Sequence, residues 1–514
     1  MIKAVVAVPS VRDLYFTPHR ASALGACTLV RELERNGWDT VLLNFPLMEK
    51  SRTVPFPRNL EYLKLFLVSG ETGPLSWFTA CHRFGPSFSE SAELIAGESP
   101  DLLFISSFAW AYADLSLQLA EAAVRIRPEL PVIIGGHGPS SLPEYFLKAV
   151  HPVYPGRPLF SLVVSGEIEG FGELLRPGKA DNRFLDLRKL NPKCDIKPMA
   201  GESILRAGRR SISITLTRGC PLKCRFCSNH ICHGRDFRSS PPGMWVDEVI
   251  RINEKYGGTP KIFHLNIEDD NILFMKNDFF SFLDAVRKHY PEVSFSAENG
   301  LDYMMLEEQD IIRLKQSGFT RLNLSLAVLS EDSRNKEHRD GDPEKLEKLI
   351  HHCHEADLPV TTHFICGLDG DNREDIVKTL RFLDRLPCQT GISNFYPVPG
   401  LEGFEDAELF LNRSPSLALG SSVYPWTGAL SSAQMITAFR LARWSNFRKK
   451  LLEPKEKPFP GSTGADSDTE EELFRKITGS RRLHTILKAG KKGSNRTVVP
   501  LSHLDEDMVE GFFR

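Results

Sequence analysis

Long apolar runs are missing from these 514 residues. The longest, DLLFISSFAWAYADLSLQLA, is broken by Asp101 and Asp114, and is expected as strand, loop and helix, with no membrane span. Net charge is nearly absent too. The 64 Lys and Arg against 66 Asp and Glu leave a formal −2, which gives no bulk attraction to nucleic acid or anionic lipid. Ten cysteines are too dilute for a disulfide scaffold and fit a reducing compartment, so a cytoplasmic location is expected. MIKAVVAVPS turns polar too soon for a signal-peptide core. What is present, 41% hydrophobic and 25% charged residues, is an ordinary globular composition in a chain too long for one core.

Against that background one stretch stands out. Cys220, Cys224 and Cys227, spaced C-x-x-x-C-x-x-C, follow the alternating segment Ser211 to Thr217 (SISITLT). Three thiols on a turn after a strand can converge on one point, and a cubane cluster held by three cysteines keeps one iron open for a non-protein ligand. Structural zinc is the alternative, with Cys232, His230 or His233 as fourth ligand, although no second C-x-x-C pair is present. That alternative makes the chain a non-catalytic binding protein.

RGCPLKCRFCS, with Phe226 before the third cysteine, resembles the cluster loop of the radical S-adenosylmethionine (radical SAM) superfamily. The resemblance implies a 4Fe–4S cluster on Cys220, Cys224 and Cys227, S-adenosylmethionine on the open iron, and reductive cleavage to a 5′-deoxyadenosyl radical. From Ser211 onward six strands alternate with amphipathic helices, which suits a partial (β/α)6 barrel with its active face at the strands' carboxyl ends. Asp342-Pro343 reads as a helix cap and first turn. By resemblance, Glu268, Asp269, Asp270 and Asn271 hold the methionine amine. Glu298 and Asn299 suit ribose hydroxyls, and Ser325 stands at the fourth strand. Arg334 or Arg339 pairs with the methionine carboxylate, while Gly367 and Gly370 lie beside adenine.

Residues 1–175 carry near-continuous apolar strands alternating with helices, expected as a doubly wound, Rossmann or flavodoxin-like domain. VIIGGHGPSSLPEYF and LVVSGEIEGFGELL resemble the cobalamin-binding domain that precedes the radical SAM core in one branch of the superfamily. That resemblance implies cobalamin contacts at Ser106, Ser107, Gly135, Gly136, Gly166 and Glu167. Thr17-Pro-His19-Arg-Ala-Ser22 lacks the Asp and Gly of the usual cobalt-ligating motif, so no protein imidazole is expected on cobalt.

The α/β chain is thus expected as that first domain, a polar linker over 176–210, the barrel over 211–405 and a mainly helical extension over 406–514. Its expected activity is that of a cobalamin-dependent radical SAM enzyme, with methyl transfer to an unactivated carbon as one outcome. A non-methylating enzyme whose first domain binds substrate is the alternative. A small-molecule substrate and an electron donor such as flavodoxin or ferredoxin are the expected partners. The basic C-terminal stretch carries a single aromatic ring, Phe474, too little for a stacking platform, so no nucleic-acid site is expected.

Overall fold

A computed structural model describes residues 2–15, 23–66, 78, 80–169, 171, 183–190, 196–202, 204–206, 209–255, 262–452 and 505–514. The first sheet is parallel throughout. Its strands are β1 (Lys3–Val8), β2 (Asp39–Asn44), β3 (Leu102–Ser106), β4 (Val132–Gly135), β5 (Leu162–Ser165) and β6 (Phe184–Asp186), in the order β2-β1-β3-β4-β5-β6. Strand order reverses between β1 and β3, which opens a crevice at their carboxyl ends. Alternate residues serve opposite faces: Val5 and Ala7 enter one core with Leu103 and Ile105, while Ala4, Val6 and Val8 enter another with Phe104. Helix Ala113–Ile126 covers the first face and helix Leu24–Arg35 the second, which explains why these strands are apolar on both sides.

The second domain has β7 (Arg209–Thr215), β8 (Ile262–Ile267) and β9 (Ser294–Ser296) in one parallel group. A second parallel group holds β10 (Leu322–Ala327), β11 (Val360–Cys366) and β12 (Gln389–Asn394). Parallel bridges Phe295–Phe319 and Leu301–Leu324 join the two groups, so six strands follow one another in chain order as an open barrel. Ile212, Leu265, Phe295, Leu324 and Phe364 continue the core that begins under the first sheet. On the other face Ser213, Asn266 and Ser296 hydrogen-bond across β7, β8 and β9. Asp342 caps helix Pro343–Glu355 as its sequence promised, accepting from Glu344 and Lys345.

The polar stretch expected as a linker supplies strands to both sheets. It provides β6, and Met199–Ala200 and Ile204–Arg206 pair antiparallel with β7. Two- and three-residue strands at a sheet edge need no apolar period of their own, which is why composition hid them. Between residues 46 and 99 a small antiparallel sheet forms (Arg52–Val54 and Cys81–Phe84, with Val11–Asp13), followed by helix Phe88–Gly97. The motif containing His19 and the basic stretch before residue 505 lie outside the described residues.

Helix Ser432–Leu452 packs against β12 and helix Arg373–Arg385, and the final helix, Glu506–Phe513, returns onto both helices. The Trp444 ring meets Phe512 edge-on at 5.8 Å and Phe513 at 4.8 Å, and Arg373 pairs with Asp507. Truncating a buried aromatic ring costs about 3–5 kcal/mol. Phe512→Ala is therefore expected to release the final helix. Hydrogen exchange at residues 506–513 should rise to solvent-exposed rates while both sheets stay protected.

Candidate functional site

The cysteine loop leaves β7 at the carboxyl end of the barrel. Its first residues, Thr217–Arg218, pair antiparallel with Arg238–Ser239, and the next strand's end supplies further acceptors. Asp269, 4% exposed, accepts from the N–H of Leu216 at 3.1 Å, the N–H of Thr217 at 2.5 Å and the Thr217 hydroxyl at 2.6 Å. Burial raises its carboxyl to about 6, opposed by those donors and by the Arg218 guanidinium. Asp270 accepts from the Gly219 N–H at 2.9 Å and from Asn229 Nδ2 at 2.8 Å, tying the residue before Cys220 to one just after Cys227. Gly219 has a φ of 79°, in the left-handed region, and a Cβ there would lie well inside van der Waals contact of the Asp236 carbonyl oxygen, so a side chain would collide with backbone.

Within this frame Cys224 is buried, Cys220 and Cys227 are half-buried, and the Cys227 N–H donates to the Cys224 carbonyl at 3.2 Å. Phe226 is half-buried in the same turn. Burial pushes all three thiols up, Cys227 to about 11, and the Cys224 thiolate adds to the rise at both of the others. Three thiols on one turn are the donor chemistry that a three-cysteine 4Fe–4S cluster takes. The zinc alternative needs a compact set of ligands around one ion, and among the described residues no group of three or more His, Cys, Asp and Glu side chains is arranged to hold one. Cys232 lies against Ser140 Oγ of the first domain at 3.9 Å, with burial raising its thiol to about 12. His230 Nδ1 meets the Cys227 carbonyl at 3.0 Å, and His233 Nδ1 meets Glu167 at 2.9 Å.

The barrel ends gather most of the residues expected around S-adenosylmethionine, with some duties changed. Asp269 and Asp270 were expected to face an ammonium, whereas their carboxylates face the cysteine loop. Asn271 caps the turn Ile272–Met275 by accepting from Leu273. Glu268 keeps a carboxylate on the barrel's inner face, accepting from Ser213 at 2.5 Å and Asn266 at 2.9 Å. Glu298 and Asn299 adjoin it: the Glu298 N–H donates to Asn266, and Asn299 Nδ2 donates to the Glu268 carbonyl. Arg339 is 8% exposed and forks onto Asp302 at 3.0 and 3.1 Å; it also donates to the Ser325 carbonyl, and its charge is near enough to Cys224 to oppose the rise that burial causes in that thiol. Arg334 donates to the Leu329 carbonyl. Gly367 donates to Asp371 at 2.8 Å, and Gly370 faces the Lys336 ammonium.

In the first domain the expected contact residues cluster at the ends of β3, β4 and β5, but several are already occupied. Gly136 (φ 104°) would place a Cβ 2.7 Å from the Ser107 carbonyl, and one at Gly166 would sit 2.8 Å from Arg188 Cγ. Gly135 has only ordinary contact with Val164. The bare backbone of Gly136 and Gly166 is therefore covered by the chain itself. Glu167 accepts from Arg238 at 2.6 and 2.9 Å and from His233, which hold its carboxyl near 2 against the opposing effect of burial. Ser106 is half-buried, and the buried Ser107 hydroxyl has no hydrogen-bond partner among the described residues, which leaves it polar capacity for a ligand such as cobalamin.

The partners that sequence reasoning missed are Thr217, Asp302, His233 and Arg238. Each acts through a contact between residues far apart in the chain, so no local spacing marks them. Residues 214–383 match the family model described as the radical SAM superfamily. Bacteriochlorophyllide d C-12(1)-methyltransferase of Chlorobaculum tepidum is 24% identical over 198 residues, 38% of this chain and 42% of that protein. Bacteriochlorophyllide d C-8(2)-methyltransferase of the same organism is 25% identical over 264 residues, 48% of this chain and 57% of that protein. This chain thus spans about half the length of these curated relatives. The solved structure of TsrM, a radical S-adenosylmethionine methyltransferase from Kitasatospora setae with tryptophan and aza-SAM bound, superposes with a TM-score of 0.56. It shares 14% identity and covers 78% of this chain and 75% of its own, a likeness of fold.

Two outcomes follow from this geometry. A buried donor left without an acceptor costs about 1–3 kcal/mol. Asp269→Ala and Asp270→Ala should each lower the iron retained per chain after gel filtration; full retention would give these carboxylates another duty. The second outcome concerns His137, whose ring lies 6.4 Å from that of His233. Burial, with the His233 charge, lowers its pKa from the ordinary 6.5 to about 4. A base depressed in the folded state contributes stability above its unfolded pKa and loses it as pH falls through the folded one. The melting temperature should therefore fall between pH 6.5 and 4, and less steeply in His137→Asn.

Proposed function

On the premise that residues 214–383 are a radical SAM domain, we propose that the chain is a cobalamin-dependent radical SAM enzyme that methylates an unactivated carbon of a small molecule. The carrying observation is the three-cysteine loop at the carboxyl end of β7, braced by Asp269 and Asp270 just beyond the neighbouring strand β8. The kinship with two methyltransferases supports the transfer half of this reading. When bound, the cluster with S-adenosylmethionine supplies a carbon-centred radical, and cobalamin supplies a methyl group.

The chain's own residues then divide the work. Cys220, Cys224 and Cys227 hold the cluster, and Arg339, itself neutralised by Asp302, places a guanidinium beside Cys224 to offset the charge of the ligating thiolates. Arg334 takes the methionine carboxylate, because the Arg339 fork is spent on Asp302. Glu268 offers the methionine amine its carboxylate, and Glu298 and Asn299 stand at the next strand end for the ribose. The polar inner face of the barrel (Ser213, Asn266, Ser296) keeps these groups hydrogen-bonded and oriented. An external one-electron donor such as flavodoxin or ferredoxin is required. No helix among the described residues is long and apolar enough to cross a membrane.

One observation favours a second reading. Gly136, Gly166 and Glu167 are engaged within the protein, as expected if the first domain takes a substrate and transfers no methyl group. Anaerobic purification, cluster reconstitution and an ultraviolet–visible spectrum separate the readings. Iron–sulfur and corrinoid bands together are expected; iron–sulfur bands alone support the second reading. Cys224→Ala should abolish the cluster and Cys232→Ala should spare it. Stoichiometric zinc with no labile sulfide would refute both.

A further inference from the structure

We propose that Glu167 is a positioning residue for the cysteine loop, latching the loop's far end to the first domain. The proposal rests on the cluster assignment above. Helix Asn229–His233 starts two residues after Cys227, and five residues cannot hold a helix without tertiary support. The first domain grips it at consecutive positions. Arg188, just beyond β6, donates to the Ile231 carbonyl at 2.8 Å, and Ser140 Oγ meets Cys232 Sγ at 3.9 Å. Glu167, just beyond β5, accepts from His233 Nδ1 at 2.9 Å.

The strongest of these contacts is the one at Glu167. Its carboxylate, 9% exposed, is forked by Arg238 at 2.6 and 2.9 Å, and Arg238 Nη2 also donates to the His233 carbonyl at 2.8 Å. A buried, bidentate, charge-assisted pair fixes both distance and angle. Gly166 serves the same end, because a side chain there would strike Arg188. Asp270 ties the two ends of the loop together from the barrel side, at Gly219 and at Asn229. The three thiols therefore sit between a brace in the barrel and a latch in the first domain, and the latch sets the spacing between the cluster and that domain's strand ends.

The test uses the full-length chain, cluster-free and anaerobically reconstituted, with Glu167→Gln, Arg238→Gln and the double substitution. Exchange of backbone amides at residues 229–233 is expected to speed up in both single variants even without the cluster. After reconstitution, both should keep the iron and corrinoid content of the unaltered chain. Both should bind S-adenosylmethionine about tenfold more weakly, with the same altered paramagnetic resonance of the reduced cluster, and the double variant should be no worse. Unaltered amide exchange in both would overturn the latch, as would corrinoid loss confined to Glu167→Gln, the mark of a direct cofactor contact. If Glu167→Gln fails to fold, Arg238→Gln and its conservative counterpart Arg238→Lys decide, with partial recovery expected in the latter. An unaltered chain that takes up no iron would refute the cluster assignment alone, since the exchange measurement still judges the latch.

Discussion

Two adjacent carboxylates at the end of one strand hold the chain's most distinctive segment in place. Between the short strand Thr217–Arg218 and helix Asn229–His233 the loop that carries three thiols has little regular structure, so it leans on acceptors from outside. Asp269 and Asp270 provide them, at Leu216, Thr217 and Gly219, and Asp270 also reaches across to Asn229. These contacts exist because β7 and β8 are parallel neighbours, with Ile214 beside Ile267, so that both strands deliver their ends to the same face. The fold's first task is therefore to align those two strand ends.

The same economy of position governs the rest of the site. Arg339 could have offered a free fork to an anionic ligand; the fold spends it on Asp302 and sets it beside Cys224, where a positive charge helps a cluster of thiolates most. The first domain meets the second at its own strand ends, through Glu167 and Arg188, and one continuous core runs beneath both. Burying Glu167 unpaired would be costly; pairing it with Arg238 and His233 converts that cost into a fixed geometry.

Much of this was legible in the sequence, for identifiable reasons. The strands of the first sheet are apolar on both faces, so runs such as VIIGG announce themselves, and the cysteines and Asp342-Pro343 act locally, where spacing speaks directly. The failures share one cause. Glu167 and Arg238 lie 71 residues apart and Arg339 and Asp302 lie 37 apart, so their pairing depends on strand register that no local pattern records. The acidic run after β8 was visible, but whether it faces a ligand or its own chain is decided by β7. The short strands between 184 and 206 carry no apolar period and are defined only by the edges they complete. Helix Phe88–Gly97 was the exception that could have been found, since Ser87 and Glu90 stand at capping-box spacing.

The central claim is that the thiols of this loop would hold a cluster whose open iron takes S-adenosylmethionine and which, once reduced by an external donor, would supply the electron that cleaves it. Incubating the reconstituted protein anaerobically with dithionite and S-adenosylmethionine, and following 5′-deoxyadenosine by mass spectrometry, tests it most directly. The account predicts 5′-deoxyadenosine from the unaltered chain and none from Cys220→Ala, Cys224→Ala or Cys227→Ala. A chain carrying a full complement of iron and sulfide, yet forming no more 5′-deoxyadenosine than those variants, would contradict it.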